Sequence, residues 1–212
     1  MWKRICSLVL ITFLLQVPSC QPQVDLAMEA YKKVLLSESE FINASDGRKD
    51  YLLDSYCNFF EYDDHYLTVD EVREIVTFSA ADIDGNGMLE IILNFNSIYF
   101  QVLQYKDGGV YSHWFVVRAM SGIKKDGSCC WSDGVSYNGC ARYIFSGENY
   151  ERVDLAYYDD RGYPSGECQY FVGGIQVTEA EYDAFEAAYD EKEDVVWYEL
   201  NEDNIASYVV VK

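Results

Sequence analysis

Basic residues are scarce in this chain: 16 Lys and Arg stand against 36 Asp and Glu among 212 residues, a formal charge of −20. A surface of that sign repels phosphate backbones, which argues against a nucleic-acid partner, and it offers no electrostatic hold on anionic lipid. Histidine is scarcer still, with His65 and His113 the only two. No nucleophile, base and orienting group can be assembled from so few. Zinc is equally poorly served, because Cys129 and Cys130 are adjacent rather than spaced by two residues. There is no Ser- or Pro-rich linker and no internal repeat, so the chain reads as one domain. An apolar run long enough to span a bilayer is missing too, since the longest, from Ile5 to Val17, is too brief.

What is present describes a folded, exported protein. Half of the residues are apolar and 16% are aromatic, a composition that disordered chains lack. The opening MWKRICSLVLITFLLQVPSC has a basic head at Lys3 and Arg4, the short apolar run, and a small-residue exit. That is the pattern of a signal peptide over residues 1–19. Its closing Val17-Pro18-Ser19-Cys20 resembles the bacterial lipobox, although Val17 stands where Leu is usual and Pro18 is uncommon there. The resemblance implies that Cys20 becomes the lipidated first residue, with residues 20–23 a tether from the membrane to a domain over 24–212. Ordinary signal-peptide cleavage before Cys20, giving a secreted protein, and a retained N-terminal anchor are the alternatives. Each of the first two readings places the domain outside the cell, where disulfides are permitted. Of the seven Cys, Cys57, Cys129, Cys130, Cys140 and Cys168 then remain, an odd number. Cys129 or Cys130 can reach Cys140 across a hairpin, and small buried hydrophobes are the rival reading for all five.

Helical spacing of Leu26, Ala30, Val34 and Leu35 predicts a first helix over about Val24 to Ser37. Thr68 with Glu71, and Thr178 with Glu181, have capping-box spacing; the second opens a helix with Tyr182, Phe185 and Tyr189 on one face. From Ile75 onward, short runs rich in β-branched and aromatic residues alternate with Gly, Asn and Asp. Their close spacing predicts an antiparallel β-meander of about seven to eight strands. The last runs, VVWYEL and SYVVVK, read as short extended pieces. An N-terminal helix, a meander and a C-terminal helix packed on the sheet make an α+β fold.

The stretch with chemistry in it is Asp82-Ile83-Asp84-Gly85-Asn86-Gly87-Met88-Leu89-Glu90. Oxygen side chains fall at its first, third, fifth and ninth positions, and the Met88 carbonyl adds another donor at the seventh. A hard cation such as Ca²⁺ takes about six to eight oxygens, and alternate residues of a tight loop can converge on one point. The ligand order resembles the start of an EF-hand, but Leu93 stands where an EF-hand places its bidentate Glu. The nine-residue calcium loop between strands of integrin-type β-propellers is a closer likeness, with Asn86 for its third Asp and Glu90 for its last. The competing reading is a solvated acidic turn. Against it stands the repulsion of three carboxylates gathered without a cation.

AYKKVL, DIDGNGMLEIIL, YKDGGVY and FVGGIQVTEAEYDAF followed by VVWYEL, in that order, resemble secreted lipoproteins of Gram-positive gut bacteria. The resemblance runs over nearly all of residues 24–205, with the DIDGNG loop its most specific part. It implies a lipid anchor and a metal, and brings no activity with it. The stretch Glu61-Tyr62-Asp63-Asp64-His65 reads as a charged loop and His113 as a sheet residue. The expectation is a non-enzymatic cell-surface lipoprotein, stabilised by structural Ca²⁺ at Asp82, Asp84, Asn86, Met88 and Glu90, that binds or displays an unidentified extracellular ligand. The alternative is an extracellular hydrolase of glycan or peptide using two carboxylates in a cleft.

Overall fold

A strand such as Glu90-Ile91-Ile92-Leu93 has no side that water favours, so it must be covered on both faces. The computed structural model, which describes residues 21–59, 61–62, 65–162 and 168–210, meets that demand with two sheets and a set of helices. Side chains Ile91, Leu93 and Phe95 enter one core with the helices, while Ile92 enters a second core with the other sheet. The central sheet is therefore sandwiched, and the fold is α+β.

In chain order the elements are α1 (Gln21–Leu35), β1 (Phe41–Asn43), β2 (Lys49–Asp50), α2 (Leu52–Phe59), β3 (Glu61–Tyr62) and β4 (His65–Tyr66). There follow α3 (Val69–Ile75), β5 (Val76–Ala81), β6 (Glu90–Phe95), β7 (Tyr99–Lys106), β8 (Gly109–Val116) and β9 (Cys129–Ser132). The chain continues through β10 (Tyr137–Ser146), β11 (Asn149–Asp159), β12 (Gln169–Val172) and β13 (Ile175–Val177). It closes with α4 (Glu179–Asp190), β14 (Tyr198–Glu199) and α5 (Glu202–Tyr208). One sheet has seven strands in the order β14-β5-β6-β7-β8-β1-β2, the other five in the order β13-β12-β11-β10-β9, and β3 with β4 makes a small ribbon.

The expected single meander is thus two sheets. The first keeps a true meander, β5 to β8, antiparallel throughout. It also contains a parallel pair, β1 on β8 with Ile42 opposite Tyr111, which the expectation of a purely antiparallel sheet missed. The helices α2 and α3 and the strands β2 to β7 lie between those partners in sequence, so the long connection that a parallel pair requires is available. The hairpin between β7 and β8 turns at Asp107 and Gly108, both with positive φ, the geometry that suits tightly twisted hairpins.

Helix boundaries follow local chemistry. Thr68 and Thr178 each cap a helix, and Glu71 and Glu181 return the bond to the cap's backbone. The first helix spans Gln21–Leu35 rather than 24–37, because Ser37 takes a left-handed backbone and Glu38 N–H bonds back to the Lys33 carbonyl at 2.7 Å. Its buried face is Ala27, Met28, Tyr31, Val34 and Leu35, whereas Leu26, expected inward, is 60% exposed. The last apolar run is also corrected: α5 is helical, started by the Asn201 side chain accepting from Asn204 N–H and pinned by buried Ile205. The helix α4 rests on the five-stranded sheet through Tyr182 and Tyr189, with Tyr182 against Tyr170. No helix among the described residues is long and apolar enough to cross a membrane. Residues 1–20, with the signal peptide and Cys20, lie outside the described residues.

Candidate metal centre

Ala81 and Glu90 are paired across the β5–β6 hairpin, so residues 82–89 must make the whole reversal. Ile83 anchors it, fully buried in the second core. Around that anchor the polar side chains fold inward as successive turns. Asp84 Oδ1 accepts from Asn86 N–H at 3.0 Å, and Asn86 Oδ1 accepts from Met88 N–H at 2.7 Å. Asp82 Oδ2 accepts from Gly87 N–H at 3.0 Å, and Glu90 Oε2 accepts from Ile83 N–H at 2.9 Å. Gly85 turns with φ +75°, a backbone that a side chain would strain.

These turns bring three carboxylates together. One oxygen each of Asp82, Asp84 and Glu90 lies within 4.8 Å of the others. Glu90 is fully buried and its Oε1 has no hydrogen-bond partner; Asp82 Oδ1 is likewise buried and unpartnered. An unpaired buried acceptor costs about 1–3 kcal/mol, and more when charged. Burial, then the charges of Asp84 and Asp82, push the Glu90 carboxyl up to about 8, against hydrogen bonding that favours ionisation. Burial and Asp82 raise Asp84 in the same way. The cluster is thus a place where negative charge is expensive and two carboxylate oxygens, Asp82 Oδ1 and Glu90 Oε1, have no donor. A divalent cation answers both problems at once.

Asn86 and Met88 sit in the same turn and are tied within it: Asn86 Nδ2 donates to Asp84 Oδ2 at 2.9 Å and Met88 N–H to Asn86 Oδ1. The carboxylates that meet are those of Asp82, Asp84 and Glu90. What the sequence did not indicate is the wall behind the loop. A Cβ on Gly127 would lie 2.3 Å from the Asp82 carbonyl oxygen, so only glycine lets that turn pack on the loop backbone. On the other flank the Arg142 guanidinium reaches over Gly85 and donates to the Asp126 carbonyl at 2.7 Å. Asp126 in turn binds Lys192 at 2.8 Å; burial opposes its ionisation, but Lys192 and Ser128 hold it down at about 2. The loop is therefore clamped from the five-stranded sheet and from the end of α4.

Elsewhere, His113 is a buried sheet residue against Phe145 and Tyr150. Of the acidic stretch, Asp63 and Asp64 lie outside the described residues. A separate cleft of about 580 Å³ opens near α2 and the β7–β8 pair, lined among others by Arg48, Asp50, Asn58, Tyr99 and Trp114. Comparison of the chain with family models, with curated proteins and with solved structures found no match.

Proposed function

We propose that the protein is an exported, lipid-anchored surface protein whose fold is braced by one structural calcium ion, and which binds or displays an extracellular ligand. The observation that carries the metal is fully buried Glu90, whose Oε1 has no hydrogen-bond partner and whose carboxylate gathers with those of Asp82 and Asp84. Those three acids would be the core ligands, with Asn86 Oδ1, the Met88 carbonyl and water completing the shell. Calcium fits better than magnesium, which demands a strict octahedron and keeps its waters. A structural role is supported by the setting, since the loop is clamped between Gly127 and Arg142 with no nucleophile in it.

The resemblance to lipoproteins and the Cys20 motif support anchoring on the outer face of the cell membrane. The cleft supports ligand holding over hydrolysis: among the described residues it is lined by one carboxylate, Asp50, where glycoside hydrolysis needs two about 5–10 Å apart. Calorimetric titration with Ca²⁺, paired with thermal melting in chelator, tests the ion. Heat of binding at millimolar Ca²⁺ that vanishes in Asp84→Ala is expected; no heat and unchanged melting would return the loop to an acidic turn. Anchoring is tested by Cys20→Ala, which should release the protein or leave it unprocessed. Unmutated protein found free, with an unmodified Cys20 at its N-terminus, overturns the lipid anchor.

A further inference from the structure

Of the five described cysteines, all thiols in the structure, two face each other. Cys130 on β9 stands directly opposite Cys140 on β10, with their sulfurs 3.7 Å apart. The ladder makes this pairing stricter than distance alone. Cys130 exchanges both backbone bonds with Ser121 on its other side, N–H to O at 2.7 Å and O from N–H at 2.9 Å. Its position opposite Cys140 is consequently a non-hydrogen-bonded pair, where antiparallel strands come closest, with Cα atoms about 4.5 Å apart. That falls inside the span of about 4.4–6.8 Å that a disulfide bridges without moving the backbone. Cys129 points to the opposite face, fully buried in the second core and opposite Ala141.

We propose that Cys130 and Cys140 are a dithiol built to close into a cross-strand disulfide, with Cys130 as the attacking thiolate. The surroundings favour that order of events. The hydrogen bond with Cys140, then the Tyr189 hydroxyl and the Lys124 ammonium, hold the Cys130 thiol at about 7 against the opposing effect of burial. The bond with Cys130 and burial push Cys140 up, so it keeps its proton. Cys130 is also the more exposed of the two, half-buried where Cys140 is 6% exposed.

The oxidant is a low-molecular-weight or protein disulfide. The Cys130 thiolate attacks one of its sulfurs, forming a mixed disulfide and expelling a thiolate. Cys140 then gives its proton to solvent and its sulfur attacks Cys130 Sγ, expelling the second thiolate. Two protein thiols are oxidised, one disulfide is reduced to two thiols, and the new bond ties β9 to β10 beneath the last turn of α4.

The test uses the full chain, reduced and then exposed to oxidised glutathione, followed by alkylation and peptide mapping without reductant. The expected product has lost two hydrogens and links the Cys130 peptide to the Cys140 peptide. Cys129→Ser should form the same link, and Cys140→Ser should trap one glutathione on Cys130. In Cys140→Ser the hydrogen bond that lowers Cys130 is changed, so the alkylation pH profile is read on the reduced wild type, with a midpoint near neutrality. Both thiols alkylated after oxidation, or a link through Cys129, overturns the proposal. Because the wild type alone decides it, a variant that fails to fold leaves the test intact.

Discussion

The two faces of the seven-stranded sheet solve the same problem differently. On the helix face the buried polar groups pair with one another: the Tyr56 hydroxyl with Gln101, Gln101 with Ser112, and the Tyr31 hydroxyl with Tyr105 N–H at 2.7 Å. On the face toward the second sheet, and at the hairpin that closes it, Asp82 Oδ1, Glu90 Oε1 and His113 Nε2 are buried without partners. A buried network that satisfies itself specifies one packing and needs nothing further. A face with orphaned acceptors leaves its carboxylates open to a cation or a proton, so its stability should depend on solution conditions.

The largest expected effect lies on the self-sufficient face. Leu93→Ala, at a fully buried position in the helix-side core, should cost about 2–5 kcal/mol by leaving a cavity. Urea denaturation should give the same loss with calcium and with chelator. A loss that depends on calcium would mean that the two faces are coupled, and would break the comparison.

Acid should next act on the other face through His113. Burial lowers it to about 4 in the folded protein, against 6.5 for the free side chain, despite a backbone hydrogen bond with Gly147 that opposes the shift. The unfolded chain therefore takes up its proton first. Above pH 6.5 the group costs nothing; as pH falls from 6.5 toward 4 the folded state loses stability, by about 3 kcal/mol in all at about 1.4 kcal/mol per pH unit. His113→Leu should flatten that part of the pH profile, and an unchanged slope would remove His113 from the account.

Calcium should contribute less. With a dissociation constant of about 0.1 mM, ordinary for extracellular modules, and free Ca²⁺ at about 1 mM, binding only the folded state adds about 1.4 kcal/mol. Chelation should lower the melting temperature by a few degrees without unfolding the domain, as scanning calorimetry can measure.

The smallest effect is expected from Asp84→Ala in chelator. It removes a carboxylate from a crowded cluster together with its bonds to Asn86. These opposing changes should leave stability within about 1 kcal/mol of the parent, while the calcium response disappears. A variant that still gains stability from calcium would move the ion elsewhere.

Much of the site was legible because its residues are neighbours. Asp82, Asp84 and Glu90 fall within one hairpin, and a reversal that short must bring them close. The helix caps at Thr68 and Thr178 were legible for the same reason, each being a contact over three residues. The clamp from Gly127 and Arg142 was not, since nothing near residue 82 marks a partner so far along the chain. Nor was the inward face of α1, where a one-residue rotation of the helical pattern exchanges Leu26 for Ala27.

By itself, then, the sequence determined the local chemistry: an acidic loop between apolar strands, the capped helices, the hairpin at Asp107-Gly108, and an α+β composition of elements. Those depend on interactions between residues a few positions apart, which any sequence window contains. Only the tertiary structure decided that the strands divide into two sheets, that β1 runs parallel to β8, and that Cys130 rather than Cys129 meets Cys140. It also decided that Glu90 is buried beyond reach of water. The physical reason is that strand pairing is non-local. An apolar strand covered on both faces carries no mark of which neighbour covers it, and a shift of one residue in register turns every side chain to the other face.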